Sequence, residues 1–238
     1  MPLLLLPNVL DETLSHESFL PKDVDVAISL LDGLIAESEK GARRFLRRFS
    51  FSNGRTFRDI PLKLLNEHTE DKELKELLAP ILQGQTWGLA SDCGLPCLAD
   101  PGAKLIFQAR KKNIAIQAFV GPSSIVLALM LSGFSAQRFA FNGYLPKEEA
   151  QLNAQIKLLQ TRSKQEDSTQ LCIETPYRNV KLFNAFLKNL NDETYLCVAA
   201  DLTAPTQYVE TQMVREWKKS ACPEIDKRPA VFLLRSFV

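Results

Sequence analysis

The sequence predicts an α/β fold of two domains, with a mainly parallel sheet in the first and a mixed sheet in the second. Three observations predict it. Apolar runs of strand length alternate with amphipathic helical patterns, the mark of parallel strands covered on both faces. Two of those runs end in turns rich in small residues and proline, at residues 91–102 and 121–124. The alternation starts afresh after Gly133 and closes on several consecutive strand candidates.

In chain order, residues 1–6 are apolar, lack the charged leader of a signal peptide and stop at Pro7, so they read as a first buried strand. Further strands are expected at 33–36, 62–65, 86–90 and 114–119, separated by helices at 23–31, 41–49, 71–83 and 102–112. Asp100-Pro101 puts a side-chain acceptor at the cap of the last of these and proline at its first helical position. Thr175-Pro176 repeats that arrangement. A helix at 122–132 precedes Gly133. Beyond it, strands are expected at 139–145, 170–174, 195–200, 208–213 and 229–235, and helices at 147–163, 178–189 and 214–219. The polar stretches 163–168 and 221–227 read as loops, and the two domains, 1–118 and 119–238, meet near residue 118.

Composition narrows the function classes. The net charge of +1 argues against whole-protein attraction to nucleic acid but leaves local patches open. The longest apolar stretch, residues 124–134, falls far short of the ~20 residues that span a bilayer, so no membrane association is expected. An odd set of five cysteines suits reduced thiols in the cytoplasm. Cys93 and Cys97 lack the spacing of a zinc knuckle, and His16 and His68 are far apart, so no metal site is expected.

The turns carry the function. Open parallel sheets bind ligands outside the carboxyl ends of their strands, and small residues let backbone approach a ligand closely. Four segments resemble the tetrapyrrole methylase superfamily of S-adenosylmethionine (SAM) methyltransferases, in order and each at a strand end. Residues 91–102 follow the family's Ser-Asp-Ala-Gly-Thr-Pro-Gly-Ile-Ser-Asp-Pro-Gly loop. Val120-Gly121-Pro122-Ser123 is similar to its Pro-Gly-Pro-Ser turn, Phe141-Asn142-Gly143-Tyr144-Leu145-Pro146 to Phe-x-Gly-Phe-Leu-Pro, and Glu174-Thr175-Pro176-Tyr177-Arg178 to Glu-Ser-Pro-His-Arg. Within the superfamily, the branch that 2′-O-methylates a cytidine of small-subunit ribosomal RNA matches best. The chain departs from that branch at Glu37-Ser38-Glu39-Lys40, where Glu-Asp-Thr-Arg is usual, and at Ala199-Ala200-Asp201-Leu202-Thr203-Ala204, where Ala-Arg-Glu-Leu-Thr-Lys is usual. Its first loop, Pro7-Asn8-Val9-Leu10, is shorter and lacks the family's glycine.

The resemblance implies a SAM site in a cleft between the domains. Leu95 and Leu98 would offer backbone groups, Asp92 would order or contact the site, and Pro7 would line its floor. Ser123 and Ser124, at a helix start, would serve the methionine carboxylate, while Thr175, Leu202 and Ala230 would close over the adenine. Core packing of the leucines and helix capping by the serines are the plainer roles for the same residues. Glu37 and Asp100 are candidate proton acceptors, and helix capping is the competing role for Asp100.

Arg43, Arg44, Arg47 and Arg48, with Arg55 and Arg58 beyond, are interleaved with Phe45, Phe49, Phe51 and Phe57. Arginines mixed with aromatics suit phosphate contact and base stacking, so the first four are the substrate-binding candidates. A solvated helix over buried phenylalanines explains the same pattern, and carboxylates of a tetrapyrrole would suit the same arginines. The expectation is a cytoplasmic, homodimeric SAM-dependent methyltransferase acting on ribosomal RNA. A small-molecule methylase is the alternative, and a non-catalytic SAM-binding regulator is a third reading.

Overall fold

The structure, a computed structural model, describes residues 2–237; Met1, the first residue of the expected opening strand, lies outside them. The chain divides into two compact units, residues 1–123 and 124–238, so the turn through Gly121 and Ser123 stays with the first.

The first unit runs β1 (Leu3–Leu5), α1 (Lys22–Ser29), β2 (Gly33–Ala36), α2 (Glu39–Leu46), β3 (Leu62–Leu64), α3 (Asp71–Leu82), β4 (Trp87–Ala90), α4 (Gly102–Lys111) and β5 (Ile116–Ala118). Its strands form one sheet in the order β3-β2-β4-β1-β5, every neighbouring pair parallel. Right-handed crossovers send chain moving toward β3 over one face and chain moving toward β5 over the other. The packing agrees: α1 and α2 bury Val24, Ile28, Phe45 and Leu46 in one cluster, and α3 and α4 bury Leu74, Leu78, Leu105 and Ala109 in another. β4 therefore lies between two strands, β1 and β2, whose onward chain leaves by the opposite face. That reversal opens a crevice at the carboxyl ends of the strands.

Local chemistry sets the ends of these helices. Ser38 caps α2 by accepting from the Gly41 N–H at 3.0 Å. The Glu70 N–H donates to the Glu73 carboxylate at 2.7 Å, fastening the entry to α3. Pro101 precedes α4 instead of opening it, because the Asp100 carboxylate reaches past it to the Gly102 N–H at 2.7 Å.

The second unit runs α5 (Ser124–Leu131), β6 (Phe139–Tyr144), α6 (Glu149–Gln165), β7 (Thr169–Ile173), α7 (Asn179–Asn189), β8 (Tyr195–Ala200), β9 (Tyr208–Met213), α8 (Val214–Trp217) and β10 (Ala230–Arg235). The sheet order is β6-β7-β10-β8-β9, with β6 parallel to β7 and the other pairs antiparallel, hence mixed as expected. α6 and α7 pack Leu152, Ile156, Phe183 and Phe186 onto β8 and β10 with Trp217. The stretch expected to be a loop from 163 is helical through Gln165. Ser163 explains the extension: it is buried, its hydroxyl donates to Ser168 O at 2.8 Å and accepts from Ser236 N–H at 2.9 Å. Pro176 opens a short 3-10 turn, and Thr175 turns its hydroxyl to the Glu174 carboxylate rather than capping. Among the described residues, no helix is long and apolar enough to cross a membrane.

Candidate cofactor and active site

Three connections of the first unit, those after β1, β4 and β5, are woven together at the carboxyl ends of the strands. Buried Asn8 is the knot. Its side-chain amide donates to Ser91 O at 3.1 Å and Asp92 O at 2.9 Å, its backbone N–H donates to Gly94 O at 2.8 Å, and its Oδ1 accepts from Val9 N–H at 2.9 Å. The turn after β5 closes on the same place. A Cβ at Gly121 would lie 2.1 Å from the Pro7 Cβ and 3.4 Å from Leu95 Cδ2, so only glycine permits this approach. Pro7, Leu95 and Gly121 thus meet, although they come from three different strand ends. Ser123, two residues on, is buried, and Ser124 is the first residue of α5.

The loop after β4 is held in a strained path. Cys97 and Ala99 adopt the left-handed region, at φ 71° and φ 63°. Between them Leu98 turns outward and is 47% exposed. The Asp100 carboxylate maintains this shape by accepting from Cys97 N–H at 2.8 Å and Gly102 N–H. It therefore orders the loop and caps the helix with the same two oxygens.

Three carboxylates gather beside this loop. Glu37, just past β2, accepts from the Asp92 N–H at 3.1 Å. The Asp92 side chain lies against the start of α2, where its Oδ1 stands 2.0 Å from the point a Cβ at Gly41 would occupy. Glu37 and Asp100 line a small open notch with Leu65, Leu89, Ala90, Ser91, Pro101 and Gly102. Burial raises the Glu37 pKa, the Asp92 N–H opposes that rise, and the neighbouring charges of Asp92 and Asp100 add to it. Burial also raises the Asp100 pKa against the pull of the Gly102 and Cys97 N–H groups. A carboxylate lifted in this way accepts a proton more readily once ionised.

In the second unit Thr175, Leu202 and Ala230 gather at one edge of the sheet. Ala230 pairs with Ala200 at the end of β8, Val231 pairs with Ile173 at the end of β7, and Asp201 N–H donates to Pro229 O at 3.0 Å. The turn after β8 is strained as well, with Asp201 at φ 48° and Thr203 at φ 75°. Arg228 holds it, donating from Nε to Asp201 at 2.8 Å and from its terminal nitrogens to Thr206 O and Glu224 O. Among the described residues the buried Thr203 hydroxyl has no hydrogen-bond partner. Beneath Thr175, Glu174 and Arg178 form an ion pair at 3.2 Å.

Most of the arginine cluster is built into the first unit. Arg43 donates to Phe57 O and Ile60 O at 2.7 and 2.9 Å, and Arg48 donates to Leu14 O and Glu12 O at 3.0 and 2.8 Å. Arg44 pairs with the Glu12 carboxylate at 2.6 Å. Arg44 and Arg47 are both exposed, and Arg47 is the exception among the four candidates in that, among the described residues, its guanidinium has no hydrogen-bond or ion-pair partner and lies over the Phe57 ring. Sequence reasoning gave no role to Asn8, Thr203 or Arg228. Asn8 carried a signal, a polar residue directly after an apolar strand in a loop already singled out. Thr203 lies in the segment 199–204 that the sequence also marks, and Arg228 carried no signal.

No family model matches the chain. It is 31% identical over 149 residues to the ribosomal RNA small subunit methyltransferase I of Halalkalibacterium halodurans, covering 62% of this chain and 47% of that protein. It is 31% identical over 160 residues to the protein of that name from Pasteurella multocida, covering 66% and 56%. With the Synechocystis protein of the same name it shares 28% identity over 183 residues, covering 77% and 61%. The chain spans about half the length of the curated relatives it matches. Among solved structures it resembles the methyltransferase CobJ, with a TM-score of 0.63 and 13% identity over 92% of this chain and 89% of that one. The uroporphyrin-III-C-methyltransferase from Thermus thermophilus gives 0.50 and 15% over 90% and 85%. These two share the fold. The chain is thus similar in sequence to proteins named ribosomal RNA small subunit methyltransferase I, and similar in fold to the two solved methyltransferases.

Proposed function

We propose that this chain is a SAM-dependent methyltransferase that methylates a ribose 2′-hydroxyl of ribosomal RNA, working in the cytoplasm as a homodimer. The observation that carries the reading is the meeting of Pro7, Leu95 and Gly121, which draws three backbone-exposing turns to one place at the strand ends. The relatives' shared name supports the RNA substrate.

The residues fit the cofactor. The left-handed loop around Leu98 exposes backbone groups, Ser123 and Ser124 precede and open a helix that suits a carboxylate, and Thr203 has a buried hydroxyl in need of a partner. Pro7, Asp92, Leu95, Leu98, Ser123 and Ser124 are the proposed SAM contacts around the turns at the strand ends of the first unit, and Thr175, Leu202 and Ala230 are the further candidates. SAM supplies an electrophilic methyl group on a sulfonium. The protein has to align a hydroxyl with it, and positioning of that kind lowers a barrier by roughly 7–11 kcal/mol. Glu37, with Asp100 beside it, takes the hydroxyl proton.

The test is transfer from methyl-tritiated SAM to unmethylated small-subunit RNA, with tetrapyrrole precursors in parallel. Ribose methylation is read as a dinucleotide that resists alkali. Label in the precursors alone would establish the small-molecule alternative, and label in neither, with SAM bound, the regulator. Calorimetry on Ser123→Phe should show SAM binding lost in a folded protein.

A further inference from the structure

Six arginines lie between residues 43 and 58, and four of them are bound inside the first unit. Arg43, Arg44 and Arg48 are engaged as described, and Arg55 donates to Leu31 O at 2.8 Å and Ser29 O at 3.0 Å. Arg47 and Arg58 differ. Among the described residues neither guanidinium has a hydrogen-bond or ion-pair partner, and both residues are exposed. Each lies over the ring of Phe57, at 5.4 Å for Arg47 and 5.2 Å for Arg58.

The loop beneath them is tied down by packing and hydrogen bonds. Phe57 is half-buried and packs against the core shared by α1 and α2. Arg43 holds its carbonyl, Arg55 ties the loop to the end of α1, and the Asp59 carboxylate accepts from Thr56 N–H and Oγ1 at 2.7 and 2.8 Å. Two cations with no ion-pair partner among the described residues therefore lie over one aromatic ring.

We infer that Arg47, Phe57 and Arg58 form a docking surface for single-stranded RNA. The inference rests on the RNA reading proposed above. A planar guanidinium stacks on a base and donates to a phosphate at once, and the ring adds a sequence-tolerant stacking partner. An acidic peptide would use the charges but leave the ring idle, so RNA is the better fit.

The surface is remote from the notch. α2 leaves the carboxyl end of β2, and its eight residues carry the chain about 12 Å back along the sheet. The loop then enters β3 at the other edge, where Leu34 N–H donates to Pro61 O at 2.9 Å. A strand bound there is gripped at a nucleotide other than the one whose hydroxyl reacts.

The test is fluorescence anisotropy of the full chain with a labelled unstructured RNA oligonucleotide across a salt series. Arg47→Gln with Arg58→Gln should weaken binding and reduce the slope of log affinity on log salt by about 1.4, from ~0.7 per phosphate contact. Phe57→Leu should weaken binding by about fivefold or more with the slope unchanged. SAM affinity should stay the same in every variant. Wild-type affinity and slope in the variants would overturn the surface, and RNA methylation persisting in those samples would leave the enzymatic reading intact. RNA binding that responds as stated without any methylation would do the reverse. Binding of polyglutamate as tight as RNA, with indifference to Phe57→Leu, would assign the surface to an acidic protein instead. Should Phe57→Leu unfold, the double arginine variant decides alone.

Discussion

Pro7 and Gly121 touch so closely that the space of one methyl group separates the packing observed from a clash. The loop after β1 and the turn after β5 are adjusted to each other at this one point.

Gly121→Ala should therefore cost more than its size suggests. The new Cβ and the Pro7 ring are both fixed to backbone, so neither can rotate away, and overpacking of this kind costs about 1–3 kcal/mol. A lowered urea midpoint with an unchanged slope is the expected result, together with weakened SAM binding. Wild-type stability would show that the turn can shift freely.

Asn8→Ala should unpick the same region from the other side. It removes the donor to two loop carbonyls, and unsatisfied buried groups cost about 1–3 kcal/mol each. Asn8→Asp should be worse than alanine, because a carboxylate would face the carbonyls of Ser91 and Asp92. Calorimetry with SAM should show more than a tenfold loss of affinity in both; retention of affinity would separate Asn8 from the site.

Glu37 gives a pH signature. Its folded pKa is raised, so folding favours the protonated form; the associated stability is present at low pH and is lost as pH rises through the raised value. Glu37→Gln keeps an acceptor for the Asp92 N–H and removes that loss, so its thermal midpoint should exceed wild type at neutral pH. Methyl transfer should nonetheless fall by about 10²–10⁴-fold, and the wild-type rate should climb with pH through a midpoint above the ordinary carboxylate range. An unaltered rate in Glu37→Gln would exclude it as the proton acceptor. Asp100→Asn should lose stability instead, since an amide offers one acceptor oxygen where Cys97 and Gly102 both donate.

Cys97 stands where the family's loop has glycine, and it keeps the glycine-like conformation at φ 71°. A left-handed L-residue costs roughly 1–2 kcal/mol, which offsets the roughly 0.4–1 kcal/mol of extra chain freedom that glycine brings. Cys97→Gly should thus be neutral or slightly stabilising despite losing a side chain, whereas Cys97→Val should lose about 2 kcal/mol. Denaturation curves of the two variants provide the check. Burial pushes the Cys97 thiol up to about 12, with the Asp100 charge adding to the rise, so it should resist alkylation at neutral pH.

The strands were legible because short apolar runs bounded by turns leave few alternatives: β2, β8 and β9 occupy the residues expected of them. Helix ends were less so. α6 runs on to Gln165 because Ser163 is buried by partners distant in sequence, and a polar residue gives no local sign of that. The arginine segment was misread in emphasis for the same reason. The carbonyls that occupy Arg43 and Arg48 belong to loops whose path only the folded chain defines. The turns at 91–102 and 121–123 were readable since glycine and proline record backbone demands directly. Their mutual contact was not, because it depends on β1 lying between β4 and β5.

Arg228 carries a mechanical consequence. One guanidinium clasps the turn at Asp201 and Thr206 to the crossover at Glu224, so these two stretches are parts of a single flap. Opening of either stretch should therefore move both together. Amide exchange in either would then keep the same time.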